Sequence, residues 1–252
     1  MSAFWFETWF DTPLYEQLYA HRDEAEARQL ARLIHDYFPP SVFSSVLDVA
    51  CGRGRHSLNL ARLGYPQILG VDLAANAITK ATQRAAEEPA ETAARLRFRR
   101  QDMREPVGDT FDLVVNLFTS FGYMPEEQQN SDILMHMLGA VHQRGAFVMD
   151  FLNAPAVRAG LVPEEEQRVE GYDIHIRRYI EDGAVHKHMQ FTHAETGSRQ
   201  EFTERVALYD ADWFRKALDQ HGFRMTHVFG SYDGAPYEEE SPRLLFFARP
   251  KP

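Results

Sequence analysis

The chain has 252 residues, of which 44% are hydrophobic and 25% are charged, a composition typical of a globular protein with a real core. This composition excludes an intrinsically disordered chain, a collagen and a coiled coil. The 27 Lys and Arg residues against 37 Asp and Glu residues leave a formal net charge of −10. That charge counts against nucleic acid as a partner, because phosphate backbones are bound through basic surfaces.

Targeting signals and cysteine usage favour a cytoplasmic protein. The aromatic N-terminus lacks the basic start of a secretory signal, and no apolar run approaches the ~18 residues that span a membrane. Cys51 is the single cysteine, so an intramolecular disulfide is excluded and a reducing compartment fits best. We therefore expect no membrane partner.

In chain order, helical and strand patterns alternate through the first 150 residues. Leu30, Leu33, Ile34 and Tyr37 have the spacing of one helical stripe, which predicts a helix over 24–37. Such alternation is typical of βαβ units, hence of a Rossmann-like, doubly wound, mostly parallel sheet with helices on both faces. The predicted strands are 45–49, 68–73, 96–101, 111–118 and 145–151, and the predicted helices between them are 56–63, 74–87 and 126–142.

The pattern changes near residue 164. Ile174, Ile176 and Ile180 share one strand parity, and further strands are predicted over 186–192 and 202–208, so we expect an antiparallel three-stranded insertion. Asp210 then has the character of a helix N-cap. Strands over 223–229 and 243–248 are predicted to form an antiparallel hairpin that closes the main sheet.

The first predicted strand runs into a glycine loop, VLDVACGRG. Gly52 and Gly54 lack a Cβ and so allow a ligand to approach the backbone closely. Asp72 ends the next strand, 72 − 52 = 20 residues after Gly52. This is the offset at which a carboxylate binds ribose hydroxyls in nucleotide-binding α/β folds, so the pattern predicts a cofactor that carries adenosine.

Residues around the glycines leave two cofactor classes open. A dinucleotide loop would carry Gly or Ala where this chain has Ser57, although Arg53 and Arg55 would suit the phosphates of a nicotinamide cofactor. Asp48 argues the other way, because a carboxylate would repel a pyrophosphate but could accept from an ammonium group or order the loop.

The loop and the following segments resemble class I S-adenosylmethionine-dependent methyltransferases of the small-molecule type. The family's loop reads D-x-[GA]-x-G-x-G, matched here by Asp48, Ala50, Gly52 and Gly54, and the acid at the end of the second strand is Asp72. Gln101-Asp102-Met103 and FDLVVNLFTSFGYM match the segments after the third strand and around the fourth. The resemblance spans about residues 44–152.

The resemblance implies S-adenosyl-L-methionine as cofactor and S-adenosyl-L-homocysteine as product. It assigns Asp72 to the ribose, Asp102 and Met103 to the adenine, and Tyr19 or Arg22 to the carboxylate of the cofactor. Ala50 and Gly52 would lie beside its methionine portion, and residues 116–118 beneath its sulfonium. The full implied set is Tyr19, Arg22, Asp48, Ala50, Cys51, Gly52, Gly54, Asp72, Leu73, Asp102, Met103, Asn116, Leu117 and Phe118.

The resemblance also implies methyl transfer by in-line displacement to an N or O atom of a small-molecule acceptor. A general base is required only for a hydroxyl or a protonated amine, so no catalytic residue is assigned. We expect three parts: a helical lid over 1–40, a cofactor-binding domain over 41–163 and 209–252, and the insertion over 164–208, above the acceptor site. Candidates for the acceptor pocket are Tyr123, Asn153, Arg177, His186 and His188.

Several alternatives remain beside this interpretation. His186 and His188 form an HxH pair without a third ligand set by spacing, so no metal is expected, and Cys51 is interpreted as a packing residue. A tRNA or protein methyltransferase would need a basic path, for which the cluster Arg95, Arg97, Arg99 and Arg100 is the candidate. A non-catalytic cofactor-binding module and a homodimer also stay open.

Overall fold

Helices and strands are interspersed over the first 160 residues, and four consecutive strands follow from residue 164. The computed structural model describes residues 4–19 and 24–252. The helices are α1 (Trp5–Trp9), α2 (Pro13–Leu18), α3 (Glu24–Tyr37), α4 (Arg55–Arg62), α5 (Ala75–Ala86), α6 (Ala90–Ala93), α7 (Glu127–Gly139), α8 (Ala154–Gly160) and α9 (Ala211–Gln220). The strands are β1 (Ser45–Val49), β2 (Gln67–Asp72), β3 (Leu96–Arg100), β4 (Phe111–Asn116), β5 (Val141–Leu152), β6 (Glu164–Val169), β7 (Tyr172–Glu181), β8 (Ala184–His193), β9 (Arg199–Ala207), β10 (Phe223–Phe229) and β11 (Arg243–Pro250).

The central sheet has seven strands in the order β10-β11-β5-β4-β1-β2-β3. Strands β1 to β5 pair in parallel, and β10 and β11 add an antiparallel hairpin at one edge. The doubly wound sheet and its closing hairpin are therefore confirmed. The strand order reverses at β1, between β2 and β4, and in such folds the ligand crevice lies outside the carboxyl ends of the strands at this point.

Both faces of this sheet are covered, because successive side chains of a buried strand point to opposite faces. Val46 packs on the face that α3 and α4 cover, in one cluster with Ile34. Leu47 packs on the other face, with Leu134 of α7 and Phe214 of α9. This arrangement leaves the carboxyl edge of the sheet, where the strand-to-helix loops lie, as the place for a site.

A second sheet contains β6, β7, β8 and β9 in sequential antiparallel order. The expected insertion of three strands was thus one strand short. The additional strand, β6, has the sequence EEEQRV and forms a largely exposed edge, so it lacks the apolar alternation by which strands are recognised. One face of this sheet packs on α1 and α2, in a cluster of Trp9, Leu14, Leu18, Ile174, Ile176, Met189 and Phe191.

Local signals explain where two of these elements begin or end. The Asp210 side chain accepts from the backbone N–H of Trp213 at 2.8 Å, which confirms it as the N-cap of α9. Strand β4 ends at Asn116, two residues earlier than predicted, because Phe118 and Thr119 have positive φ angles and cannot continue a strand. Within residues 4–19 and 24–252, no helix is long and apolar enough to cross a membrane.

Candidate active site

The glycine loop leaves β1 in a left-handed conformation. Ala50, Gly52 and Gly54 have φ angles of 58°, 55° and 73°. A Cβ on Gly54 would lie 2.8 Å from the ring of Phe98, whereas a Cβ on Gly52 would meet nothing within 4 Å. Gly54 is therefore needed for packing against β3, and the space in front of Gly52 is open to a ligand.

Asp72, at the end of β2, bonds directly to this loop. One carboxylate oxygen accepts from the backbone N–H of Gly52 and the other from that of Ala74, each at 2.8 Å. Burial raises the pKa of Asp72, and the backbone N–H groups partly offset this effect. Each oxygen keeps a second lone pair, so the carboxylate can still accept from the two hydroxyls of a ribose.

Asp48 orders the loop from beneath. Its side chain is buried and accepts from the Ser57 hydroxyl at 2.6 Å, which joins β1 to the first turn of α4. Burial raises the pKa of Asp48 to about 7, although the Ser57 bond lowers it and the Asp72 charge adds to the rise. Burial also raises the pKa of the Cys51 thiol well above its ordinary value, which makes Cys51 a packing residue and not a nucleophile.

Two residues predicted to border the adenine, Asp102 and Met103, lie on the loop after β3. Asp102 accepts from the backbone N–H of Arg104 at 2.9 Å and from its Nε at 2.8 Å. Burial alone would raise the pKa of Asp102, but the bonds from Arg104 outweigh it and lower the pKa. Asp102 is thus engaged by a cation, while Met103 packs against the core face that α7 covers.

The end of β4 presents a buried acceptor without a partner. Asn116 is fully buried, and its amide nitrogen donates to the carbonyls of Val49 at 3.0 Å and Ser120 at 3.2 Å. Its Oδ1 atom has no hydrogen-bond partner. Together with the open space at Gly52 and the carboxylate of Asp72, this acceptor fits a ligand that brings hydroxyl or ammonium donors, as S-adenosylmethionine does.

The segment from α1 to α2 contacts the chain that follows β1, β2, β3 and β4 at the carboxyl edge of the sheet. These contacts join residues far apart in the chain, so the N-terminal segment lies across the predicted cofactor site. The pairs are Glu16 with Arg53 at 2.9 Å, Asp11 with the N–H of Asn76 at 2.8 Å, Glu7 with Arg104 at 2.8 Å, and the rings of Trp5 and Tyr123 at 5.0 Å.

The same segment is attached to the second sheet through a polar cluster. The Tyr19 hydroxyl donates to Glu204 at 2.9 Å and accepts from Lys187 at 2.7 Å, and the Trp9 indole donates to Glu204 at 2.6 Å. Tyr19, expected at the cofactor carboxylate, therefore contacts β8 and β9. Arg22, the alternative to Tyr19, lies outside the described residues.

Beside this cluster a groove of about 400 Å³ runs between the α8 region and the face of the second sheet that carries Lys187. Its volume is within the range of small-molecule sites. The lining is mostly apolar and includes two cations and two carboxylates. The lining residues are Val157, Gly160, Leu161, Val162, Glu165, Arg178, Val185, Lys187, Glu204 and Val206.

Three of the residues predicted to line the acceptor pocket lie on the opposite face of the second sheet. His186 and His188 alternate with Lys187 along β8 and so point away from the groove. His186 stacks on Tyr179, with ring centroids 4.9 Å apart, and Arg177 is largely exposed. These three residues therefore do not line this groove, and their place in the acceptor pocket stays a prediction.

Asn153, another candidate for the acceptor pocket, is also absent from the lining of this groove. It is 1% exposed, and its amide nitrogen donates to the carbonyls of Glu238, Glu239 and Ser241, while its oxygen accepts from Tyr237. Both polar atoms therefore hold the connection between β10 and β11.

Tyr123 is packed beneath α1. Its hydroxyl donates to the Thr119 carbonyl at 2.8 Å, and its ring contacts those of Trp5, Phe6 and Phe10.

Within residues 4–19 and 24–252, no three His, Cys, Asp or Glu side chains form a metal-binding group.

The groove residues Lys187 and Glu204 were missed by the sequence reasoning. Lys187 shares the strand parity of Met189 and Phe191, which pack on α1 and α2. That parity was the available signal. It would have assigned Lys187, and not His186 and His188, to the face that packs on α1 and α2.

Comparisons with known proteins also indicate a methyltransferase. Residues 46–145 match a methyltransferase domain. A curated dTDP-3-amino-3,4,6-trideoxy-alpha-D-glucopyranose N,N-dimethyltransferase of Streptomyces venezuelae is 24% identical over 231 residues, covering 88% of this chain and 93% of that protein.

Solved structures share the fold along nearly the whole chain. An S-adenosylmethionine-dependent methyltransferase from Clostridium acetobutylicum superposes with a TM-score of 0.79 at 17% identity, over 95% of this chain and 97% of that one. The S-adenosylmethionine-bound amino pentose methyltransferase CalS10 from Micromonospora echinaspora superposes with a TM-score of 0.68 at 21% identity, over 94% and 96%. With its glycine loop, Asp72 and a methyltransferase-domain match over residues 46–145, this chain has the fold of S-adenosylmethionine-dependent methyltransferases of known structure.

Proposed function

We propose that the chain transfers the methyl group of S-adenosylmethionine to an N or O atom of a small-molecule acceptor. The observation that carries this proposal is the groove of about 400 Å³ between α8 and the second sheet, which has the size and mixed lining of a small-molecule site. The similarity to a sugar N,N-dimethyltransferase supports an acceptor of this size.

In this proposal, each loop at the carboxyl edge holds one part of the cofactor. Asp72 binds the ribose hydroxyls, and Leu73 lies beside them. Asp102 and Met103 border the adenine. Gly54, Ala50, Gly52 and Cys51 form the loop beside the methionine portion, Asp48 orders that loop, and Asn116, Leu117 and Phe118 form the floor. Tyr19 lies in the polar cluster with Glu204 and Lys187. The cofactor supplies a methyl group activated by a positively charged sulfur.

The chain itself orients the acceptor and excludes water. Helices α1 and α2, within the predicted lid of residues 1–40, cover the cofactor-binding domain of residues 41–163 and 209–252, and the segment 164–208 forms one wall of the acceptor site. Holding the acceptor atom in line near the methyl group removes most of the entropic barrier. Of the lining residues, Glu165 and Glu204 are the carboxylates that can accept a proton from a hydroxyl or an ammonium group.

No observation favours a nucleic-acid acceptor. The arginines of β3 are bound locally, Arg95 to Glu91 and the Ala61 carbonyl, Arg97 to the Leu96 carbonyl, and Arg100 to the Leu73 carbonyl. Strand β3 is an edge of the central sheet, and charged side chains on edge strands prevent pairing with other chains.

The test is a transfer assay with S-adenosylmethionine and a panel of acceptors: dTDP-amino sugars, free amino sugars, amino acids, small phenols and bulk tRNA. We expect one small-molecule class to gain the mass of a methylene group and S-adenosylhomocysteine to form in equal amount. Methylation of tRNA alone would overturn the proposal. Cofactor binding with no transfer to any acceptor would favour the non-catalytic module.

The proposed role of Asp72 is tested separately by Asp72→Ala. Loss of a hydrogen-bonding carboxylate costs about 1.5–3 kcal/mol per charged bond, so we expect S-adenosylhomocysteine affinity to fall at least tenfold in calorimetry. Asp112→Ala is the matched control, since its carboxylate also accepts from two backbone N–H groups, those of Ser44 and Ser45. Unchanged affinity in Asp72→Ala would contradict the role.

A further inference from the structure

The turn after β4 holds two consecutive residues in a costly backbone conformation. Phe118 and Thr119 both have a φ angle of 62°, in the left-handed region that side chains with a Cβ avoid. Such a conformation persists only where the surrounding structure holds it, and it is concentrated at functional sites. The contacts that hold this turn therefore indicate its purpose.

Asp150, near the end of β5, binds both strained residues. Its side chain is fully buried, and its Oδ2 atom accepts from the backbone N–H of Phe118 at 2.8 Å. Its backbone carbonyl accepts from the N–H of Thr119 at 2.9 Å. One residue of the neighbouring strand thus fixes the two peptide groups whose conformation is unfavourable.

Arg243 of the neighbouring strand β11 and Tyr232 of the β10–β11 connection hold the Asp150 carboxylate in place. The Tyr232 hydroxyl donates to Oδ2 and the Arg243 Nε donates to Oδ1, both at 2.8 Å. A second nitrogen of Arg243 donates to the Thr119 hydroxyl at 2.7 Å. Burial raises the pKa of Tyr232, so its hydroxyl stays protonated and remains a donor.

The Phe118 ring belongs to the partly accessible portion of this turn. Asp150 and Tyr232 are buried, whereas Phe118 is only half-buried at the carboxyl edge of the sheet, with the guanidinium groups of Arg55 and Arg243 at 4.8 and 5.6 Å from its ring centroid. A turn that served only to connect β4 to α7 would not require two left-handed residues.

We propose that Asp150, Tyr232 and Arg243 are positioning residues for methyl transfer, which hold the Phe118–Thr119 turn so that Phe118 forms a fixed wall of the cofactor site. The proposal rests on the placement of Phe118 beside the cofactor in the proposed function. It assigns a role in binding to two buried residues, Asp150 on β5 and Tyr232 in the β10–β11 connection, and to the partly buried Arg243 on β11.

The first test compares Tyr232→Phe with Tyr65→Phe. Both variants delete one buried phenol hydroxyl, since Tyr65 is fully buried and donates to the Phe38 carbonyl at 2.6 Å, but only Tyr232 bonds to Asp150. We expect similar losses of thermal stability, with S-adenosylhomocysteine affinity lowered about tenfold in Tyr232→Phe only. Equal affinities in the two variants would overturn the proposal.

The second test is a rescue that a purely structural role would not produce. Glycine adopts positive φ without strain, so Thr119→Gly in the Tyr232→Phe background relieves one of the two strained residues and leaves Phe118 to be held by Asp150. We expect this double variant to regain part of the lost affinity, although glycine gives no gain in packing. Arg243→Lys, which keeps the charge but loses the fork between Asp150 and Thr119, should bind as weakly as Tyr232→Phe. Failure of the rescue, or wild-type affinity in Arg243→Lys, would refute the proposal.

Binding of S-adenosylhomocysteine requires no acceptor. An error in the proposed acceptor class would therefore leave these affinities unchanged and would appear only in the transfer assay. The two proposals can fail independently.

Discussion

At the scale of single residues, two buried titratable groups beside the glycine loop have strongly displaced pKa values. Burial raises the pKa of Asp48 from 3.8 to about 7. Burial, with the charges of Arg55 and Arg243, lowers the pKa of His56 from 6.5 to about 3. In the folded chain both groups therefore prefer the neutral form at mildly acid pH.

These two groups affect stability in opposite directions. Between pH 3.8 and about 7 the folded chain retains the Asp48 proton that the unfolded chain releases, so the free energy of unfolding falls as pH rises. Between about pH 3 and 6.5 the unfolded chain binds a proton at His56 that the folded chain does not, so stability rises with pH. The two slopes cancel where the intervals overlap.

We therefore expect Asp48→Asn and His56→Asn to reveal opposite pH dependences. Relative to wild type, Asp48→Asn should gain stability by roughly 1.4 kcal/mol per pH unit between pH 4.5 and 6.5, and His56→Asn should lose a similar amount. Urea unfolding at several pH values measures both. Variant and wild-type curves that stay parallel across this interval would contradict the assignment.

At the scale of elements, α1 and α2 connect the loops of the central sheet to the second sheet. Their apolar side chains pack on Ile174, Ile176, Met189 and Phe191. Their polar contact is centred on Glu204, which accepts from Trp9 and Tyr19. Because Glu204 also lines the groove, the attachment of the N-terminal helices and the proposed acceptor site share one carboxylate.

This shared position predicts the effect of Glu204→Gln. A neutral amide accepts weaker hydrogen bonds than a carboxylate, by about 1 kcal/mol, so α1 and α2 should open more often. We expect amide hydrogen exchange in residues 5–18 to be about fivefold faster. Glu201→Gln is the control on the same strand, since Glu201 contacts Gln190 and His188 in an exposed position. Equal exchange in both variants would exclude Glu204 as the anchor.

At the scale of the whole molecule, cofactor binding should stabilise the fold by mass action. A ligand at 100 times its Kd adds about 2.7 kcal/mol to the free energy of unfolding. For a chain of this length, this corresponds to a rise in Tm of roughly 5–10 °C. We expect that rise with S-adenosylhomocysteine and none with NAD, in a thermal melt of the full chain. A rise with NAD alone would contradict the cofactor assignment.

The sequence by itself determined the alternation of helices and strands, the doubly wound class and the glycine loop that we propose binds the cofactor. These features are local: the helical and strand periods, the glycines at 52 and 54, and the acid at 72 are all read within short segments. Asp48, Gly52 and Asp72 lie together in the structure as the motif implied, because β1 and β2 are adjacent and parallel.

Only the tertiary structure decided what depends on long-range contacts. The faces of β7 and β8 were assigned by the packing of Trp9 and Leu18 against Ile176, residues more than 150 positions apart, and no periodicity states which of two faces is covered. In the same way, the strain at Phe118 is balanced by Asp150 and Arg243, whose meeting requires β4, β5 and β11 to be neighbours in the sheet. A sequence pattern shows that a strand has two faces, but only packing determines which of them faces a ligand.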